Sequence, residues 1–301
     1  FGFVLGDDQK VLPDPRSPRQ PEGVHERSQL WQPSADAWSD TEWAGRSIEG
    51  AVIYELHIGT FTPAGTLDAA IDKLDYLVDL GVDFVEVMPV NAFGGTHGWG
   101  YDGVLWYAVH EPYGGPDALI RFVDACHRRG LGVLIDAVFN HLGPSGNYLP
   151  EFGPYLSSGS NPWGESINIG DAGADQVRRY ILDCALRWMR DFHADGLRFD
   201  MTPYIRSRDG SGMDIPEGWE MMREVNSLVR EQFPDRLLIA EDMQQNPAVS
   251  STDEGGAAFH AQWDGAFVHP IREALKASND DERSLEAVAT AILKTYNDDA
   301  F

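Results

Sequence analysis

Three apolar segments of the sequence end abruptly in charged residues. The charged residues at these ends are Asp136, Arg198 with Asp200, and Glu241. Continuously apolar strands are typical of a parallel sheet that is covered on both faces, and polar residues of such a sheet collect at the carboxyl ends of its strands, where ligands bind. The sequence therefore predicts four ionisable side chains close together at one rim of a sheet.

The types of these residues suit acid–base catalysis. The two-residue period of a strand puts Arg198 and Asp200 on the same side, and a neighbouring guanidinium favours an ionised carboxylate, as a nucleophile requires. Glu241 follows an apolar strand, where desolvation would favour its protonated form. Two carboxyl groups in such different states are the pair that glycoside hydrolysis uses. For any one segment alone a structural role is an equally good interpretation, but the three together favour catalysis.

The elements that would position these residues alternate between strand and helix. From Ala51 onward, apolar runs of strand length are separated by stretches with helical periodicity, which indicates right-handed crossovers and a parallel sheet. The segment from Leu142 to Gly170 is too long for a routine loop and is expected to cover the site. The predicted strands are 51–57, 82–90, 132–138, 194–200, 237–242 and 258–263, and the predicted helices are 67–80, 116–129, 174–193 and 217–232, with further helices to about Tyr296.

Three motifs carry a resemblance to a known family. DAVFNH, DGLRFD and AED resemble the first three conserved regions of the α-amylase family, glycoside hydrolase family 13, and the resemblance extends from about Gly50 to the last residues. It implies a (β/α)8 TIM barrel, with Asp200 as catalytic nucleophile and Glu241 as general acid/base. It further implies that sugar-subsite residues are Arg198, Asp136, Asn140 and His141.

The sequence departs from this family pattern in two respects. About six βα units are predicted where a closed barrel needs eight. The family's fourth region carries a His-Asp pair whose aspartate is the third catalytic acid, and no His-Asp dipeptide occurs in this sequence. We expect a barrel that is incomplete at the C-terminus, in preference to a non-catalytic glucan-binding barrel.

Longer stretches resemble particular groups within the family. YELHIGTFTPAGT, GWGYDGV and NPWGESIN are most similar to maltooligosyltrehalose trehalohydrolases, which hydrolyse the α-1,4 bond next to a terminal trehalose unit. This implies an α-glucan or maltooligosaccharide substrate and a retaining double displacement. The segment after Asp200 departs from that group, because MTPYIRSRDGSG stands where an alanine and a histidine are expected. Glycogen-branching enzymes share the same carboxyl roles and are the alternative.

Aromatic residues after the second predicted strand indicate sugar binding. Trp99, Tyr101 and Asp102 lie among glycines, which let a ligand approach the backbone, and aromatic faces pack against the apolar faces of sugar rings. We expect these three residues to contact substrate, whereas Trp106 and Tyr107 are expected in the core.

Composition narrows the class of protein. The 23 cationic and 48 acidic residues give a formal charge of −25, which argues against nucleic-acid or anionic-membrane partners.

Cys126 and Cys184 lack metal-ligand spacing and are expected to be buried thiols. With no signal peptide or apolar run of transmembrane length, a cytoplasmic location is expected. No cofactor or metal site is predicted, and a structural calcium near Asn140 lacks a supporting carboxylate cluster.

The first 48 residues differ in composition from the remainder. They are rich in proline, aspartate and tryptophan, with a short strand and turn at FGFVLGDD followed by an extended linker. We interpret residues 1–48 as a linker and the tail of a β-sandwich module, and residues 49–301 as the barrel domain. An ordered N-terminal arm is the alternative.

Overall fold

The computed structural model describes residues 1–7 and 9–296. The alternation of strand and helix predicted from Ala51 onward is present, and two antiparallel pairs interrupt it. The strands are β1 Ile53–Leu56, β2 Phe84–Val87, β3 Asn91–Phe93, β4 Gly103–Val109, β5 Gly132–Ala137, β6 Leu156–Asn161, β7 Gly164–Ile167, β8 Gly196–Phe199, β9 Leu237–Ala240 and β10 Ala261–Gln262. The helices are α1 Ile58–Phe61, α2 Leu67–Ile71, α3 Leu74–Asp79, α4 Gly115–His127, α5 Leu149–Phe152, α6 Ala174–Phe192, α7 Pro203–Arg206, α8 Pro216–Gln232, α9 Gly265–Lys276 and α10 Leu285–Thr295.

The main sheet is parallel throughout the described part of the chain. Its six strands follow the order β1-β2-β5-β8-β9-β10, so neighbouring strands of the sheet are also consecutive along the chain within this sheet. This curled sheet corresponds to part of a (β/α) barrel. The strand predicted over 258–263 is shorter than expected, because only Ala261 and Gln262 pair with β9 and Ala258 has a left-handed φ of 60°.

The two faces of the sheet have different surroundings. Val85, Val133 and Leu197 face the helices and belong to the large hydrophobic core. Phe84 and Leu134 alternate with them and belong to a small cluster on the opposite, inner face. Because side chains alternate along a strand, the residues two positions further along each inner-facing run also point inward, toward the region that the charged residues occupy.

One predicted helix is broken in two. The helix expected over 67–80 ends as α2 and restarts as α3, because ψ is −10° at Asp72 and −2° at Lys73, outside the range of regular α-helix. The apolar stripe nevertheless continues across the break, with Leu67, Leu74 and Leu77 fully buried. The helical segment was therefore located correctly, but it is not one continuous helix as predicted.

The segment 142–170 is built around a short helix and a hairpin. The antiparallel pair β6 and β7 turns at residues 162 and 163 and lies over the carboxyl end of the main sheet. The second antiparallel pair, β3 and β4, follows β2, and Trp106 and Tyr107 on β4 are buried as predicted. Among the described residues, no helix combines the length and apolar character needed to cross a membrane.

Residues 1–48 pack against the barrel as an irregular arm. Phe3 and Leu12 form an isolated antiparallel bridge, and no β-sandwich is present among the described residues. The arm is fastened by buried polar contacts: His127 contacts Asp40 through Nδ1 at 2.8 Å and Asp195 through Nε2 at 3.0 Å. Trp43 donates from Nε1 to Asp195 at 2.7 Å.

Candidate active site

The predicted charged residues meet at the carboxyl ends of β5, β8 and β9. In the register of the sheet, Asp136 pairs with Arg198, and Glu241 directly follows Ala240, the partner of Phe199. Arg198 and Glu241 lie on the inner face, because they alternate with helix-facing Leu197 and Ala240. Asp200 follows the end of β8. The sheet topology thus brings together groups that are more than 100 residues apart in sequence.

Arg198 lies at the centre of the charged cluster and is nearly fully buried. Its Nη1 donates to both oxygens of Asp136 at 2.9 Å and to Asp200 Oδ1 at 2.9 Å. Its Nη2 lies 2.8 Å from Glu241 Oε2. Burial alone disfavours a charged guanidinium, but these carboxylates together raise the pKa of Arg198. One permanent cation therefore bridges the carboxylates at the ends of three strands.

The carboxylate of Asp200 is held on both oxygens. Arg198 contacts Oδ1, and the side-chain amide of Asn140 donates to Oδ2 and to the main-chain carbonyl of Asp200, each at 2.7 Å. Asn140 is itself oriented by His141, whose Nδ1 contacts Asn140 Oδ1. These contacts leave Asp200 with a defined orientation at the edge of a pocket, as attack on a bound substrate requires.

Glu241 and Asp200 contact the two neighbouring terminal nitrogens of the Arg198 guanidinium. Burial raises the pKa of Glu241, and the charge of Asp200 adds to that effect, whereas Arg198 and the main-chain N–H of Met201 oppose it. The Met201 N–H donates to Glu241 Oε2 at 3.0 Å. A carboxyl group with a raised pKa holds its proton to higher pH than a free glutamate, which is the property of a general acid.

Two further carboxyl groups lie in the buried layer beneath the pocket. Asp136 accepts a hydrogen bond from the Tyr101 hydroxyl at 2.8 Å, and burial raises the pKa of Asp136 to about 7. Glu86, on β2, is 1 % exposed, and its Oε1 has no hydrogen-bond partner among the described residues. Burial raises the pKa of Glu86 to about 8.

A pocket of about 550 Å³ opens directly above the charged cluster. Seven of the nine residues predicted from the sequence line it, and the other two, Asp136 and Asn140, lie buried beneath it. Trp99 stands at the mouth with 71 % of its surface exposed. The lining residues are Trp99, Tyr101, Asp102, His141, Trp163, Arg198, Asp200, Met201 and Glu241.

Two of the lining residues were missed by the sequence analysis. Trp163, at the turn of the β6–β7 hairpin, stacks on His141 with 4.7 Å between ring centroids. Met201 follows Asp200 and has a left-handed φ of 43°. The tryptophan could have been found, because an aromatic residue in a segment expected to cover the site is a candidate sugar contact. The sequence carries no signal for the conformation of Met201.

The site offers hydrogen bonds and charge. Among the described residues, no group of three or more His, Cys, Asp or Glu side chains is arranged to hold a metal ion. The Asn140 amide nitrogen is engaged by Asp200 and its oxygen by His141. The chemistry that this arrangement can perform is nucleophilic attack by one carboxylate with proton transfer by another.

Comparisons with known proteins agree with the geometry of the site. Residues 32–160 match the alpha amylase catalytic domain. A protein of Mycobacterium tuberculosis named malto-oligosyltrehalose trehalohydrolase is 58% identical over 98% of this chain and 52% of its own length. A Corynebacterium jeikeium protein named 1,4-alpha-glucan branching enzyme GlgB is 32% identical over 79% of this chain and 37% of its own length.

A solved structure supports the same relationship. The crystal structure of a Salmonella typhimurium protein, described as a candidate alpha amylase, superposes with a TM-score of 0.81 at 40% identity, covering 94% of this chain and 48% of that one. This chain thus spans about half the length of the curated relatives that it matches. The matched catalytic domain, the shared fold and the carboxyl pair bridged by Arg198 all lead to one conclusion, that the chain belongs to the α-amylase family of glycoside hydrolases.

Proposed function

We propose that the protein is a retaining glycoside hydrolase that cleaves the α-1,4 bond next to the terminal trehalose unit of a maltooligosyltrehalose. The single guanidinium of Arg198, in contact with both Asp200 and Glu241, supports the retaining mechanism. A group of that size holds the two carboxyls close together. The two catalytic carboxyl groups of retaining enzymes are about 5 to 5.5 Å apart, whereas those of inverting enzymes are further apart, because a water molecule must fit between carboxyl group and substrate. The similarity to the protein named malto-oligosyltrehalose trehalohydrolase supports the substrate.

In the first step, Asp200 Oδ attacks the anomeric carbon of the glucosyl unit. The C–O bond to the leaving sugar breaks, and the leaving oxygen takes the proton of Glu241. Burial raises the pKa of Glu241, so it keeps this proton to higher pH than a free glutamate does. The products of this step are a covalent glucosyl ester on Asp200 and a departing trehalose.

In the second step, the ionised Glu241 accepts a proton from water as the water oxygen attacks the anomeric carbon. The ester bond to Asp200 breaks, its electron pair returns to the carboxylate, and Glu241 is protonated again. Two inversions restore the original anomeric configuration. Arg198 stays charged throughout, because the surrounding carboxylates raise the pKa of its guanidinium.

The remaining pocket residues would bind the sugar. Tyr101 and Trp99 offer aromatic surface on one side of the pocket, and Asp102 offers a hydrogen-bond acceptor. His141 also lines the pocket, and burial lowers its pKa, which favours the neutral imidazole. Asp136 and Asn140 hold Arg198 and Asp200 from beneath.

Several features of the whole protein are also proposed. Residues 49–301 would contribute to a (β/α)8 barrel, and residues 1–48 would connect it to a β-sandwich module. The third acid would come from outside these 301 residues, because the family's His-Asp pair is absent from them. The buried, free thiols of Cys126 and Cys184 and the charge of −25 favour a cytoplasmic protein that binds neither nucleic acid nor membranes.

Two alternatives have specific support. The Corynebacterium jeikeium relative favours a branching reaction, in which a sugar hydroxyl takes the place of water in the second step. The departure from the trehalohydrolase pattern after Asp200, together with the absent His-Asp pair, favours a glucan-binding barrel without turnover. Both would bind the same α-glucans in the same pocket.

Proton NMR of the products separates these functions. The full-length protein is incubated in parallel with maltooligosyltrehalose and with linear amylose. Free trehalose from the first substrate supports the proposed hydrolysis, and new α-1,6 signals from the second would replace it with branching. Binding of either glucan without any product would favour the non-catalytic barrel.

A further inference from the structure

The segment that follows Asp200 is bound closely to the segment that follows Glu241. The Thr202 N–H and hydroxyl both donate to the Glu241 carbonyl at 3.0 Å. The Thr202 hydroxyl also lies 3.2 Å from Asp242 Oδ2. Together with the Met201 N–H on Glu241 Oε2, these contacts join the two chain segments that carry the catalytic carboxyls.

A buried ion pair closes this junction. Arg206, at the end of α7, donates from Nε to Asp242 Oδ2 at 2.8 Å and from Nη2 to Gln244 Oε1 at 2.6 Å, and its Nη1 contacts Asp214. Arg206 is 3 % exposed and Asp242 is fully buried. Charge pairs this deep are screened little by solvent, so they hold their geometry firmly.

Met201 lies between the nucleophile and this ion pair, in a backbone conformation that residues other than glycine rarely adopt. Its φ of 43° is in the left-handed region, which costs free energy for any residue except glycine. That conformation aims its N–H at Glu241. Such strain persists only where the surrounding structure holds it. Thr202 and Arg206, which follow Met201 along the chain, make the contacts that fix this segment.

We propose that Arg206 and Asp242 are positioning residues for the reaction proposed above, on which this inference rests. Their ion pair holds Met201 in the left-handed conformation, so that its N–H stabilises the ionised form of Glu241. A hydrogen bond to the ionised form of Glu241 offsets part of the rise in pKa that burial causes. Glu241 can therefore give up its proton in the first step and take up a proton in the second. The two residues act through Met201, without touching substrate.

The first test is the titration of Glu241 in the full-length protein. The infrared carboxyl band that disappears in Glu241→Gln is followed against pH in the wild type, in Arg206→Met and in Asp242→Asn. We expect the midpoint to rise by about half a pH unit or more in both variants, because the Met201 hydrogen bond is lost. Arg187→Met is the control, since Arg187 forms an ion pair of low exposure with Asp191 on α6, away from the pocket residues.

The second test is kinetic and uses the same variants. We expect Arg206→Met to lower kcat/KM for trehalose release by about 10- to 100-fold, with the alkaline limb of the pH profile moved upward. In a Met201→Gly background the left-handed conformation is free of steric cost, so the same substitution should lower kcat/KM by a smaller factor.

Different outcomes separate the two proposals. An unchanged Glu241 midpoint in both variants, or an equal loss in the methionine and glycine backgrounds, overturns the positioning role and leaves a purely structural ion pair. If the wild type releases no trehalose while the midpoint still rises in Arg206→Met and not in Arg187→Met, the proposed substrate is wrong and the positioning role is supported.

Discussion

The guanidinium of Arg198 lies 2.9 Å from Oδ1 of Asp200, two residues further along the same chain segment. Arg198 is on β8 and Asp200 directly follows the end of that strand, and the contact agrees with the strand period, in which residues i and i+2 point to the same side of the sheet. Its consequence is that Asp200 faces a permanent cation in a buried site, where opposite charges interact more strongly than in water.

Replacing the proposed nucleophile should abolish the covalent intermediate. Asp200→Asn keeps the shape and the Asn140 and Arg198 neighbours but removes the attacking charge, so we expect kcat to fall by about 10⁴-fold or more. Intact-protein mass spectrometry after acid quenching should detect a glycosyl adduct in the wild type and none in the variant. Asp75→Asn, an exposed carboxylate on α3, should retain both adduct and turnover. An adduct in Asp200→Asn would refute the assignment.

The proton of Glu241 should govern the alkaline limb of activity. Because burial raises its pKa, Glu241 stays protonated to higher pH than a free glutamate, and activity should fall as the pH rises through that value. In Glu241→Gln we expect both steps to slow and this limb to vanish from the profile of kcat/KM. A variant that retained the wild-type alkaline limb would assign the proton to another group.

Glu86 should make the protein less stable as the pH rises. Its folded-state pKa of about 8 lies above the value of about 4.3 for an unfolded chain, so between these values only the folded state holds the proton. The free energy of unfolding should therefore decrease by up to about 1.4 kcal/mol per pH unit, with the loss complete above the folded-state pKa.

Urea unfolding at a series of pH values measures this effect. In Glu86→Gln the contribution of the Glu86 proton should disappear, so the free energy of unfolding should depend less on pH between pH 5 and about 8. Glu49→Gln, an exposed glutamate, should retain the wild-type slope. Equal slopes in wild type and Glu86→Gln would show that Glu86 is already ionised in the folded protein.

Trp163 should contribute to substrate binding through its aromatic face. Removing it in Trp163→Ala should lower kcat/KM by about 2- to 10-fold, the equivalent of roughly 0.5 to 1.5 kcal/mol for one aromatic contact, and Trp163→Phe should restore part of it. Trp38→Ala is a matched control, because Trp38 also stacks on a histidine, His193, at 3.8 Å in the N-terminal arm. If Trp163→Ala keeps full kcat/KM while Trp38→Ala loses it, the pocket role is wrong.

Much of this architecture could be read from local patterns. Apolar runs located the strands at whose carboxyl ends Asp136, Asp200 and Glu241 lie, and helical spacing located α4, α6 and α8 to within two residues. Burial of Trp106 and Tyr107 was also predicted correctly. These features depend on periodicities of 2 and 3.6 residues, which sequence displays directly.

Other features required contacts between distant segments. The closeness of Trp163 to His141 depends on how the hairpin folds back, and the left-handed Met201 depends on a junction between segments 40 residues apart. The pairing of Arg206 with Asp242 is equally invisible in sequence, where each residue is one charge among many. Backbone conformation at such positions is set by tertiary contacts that outweigh local preference, because the buried hydrogen bonds and charges there must all be satisfied.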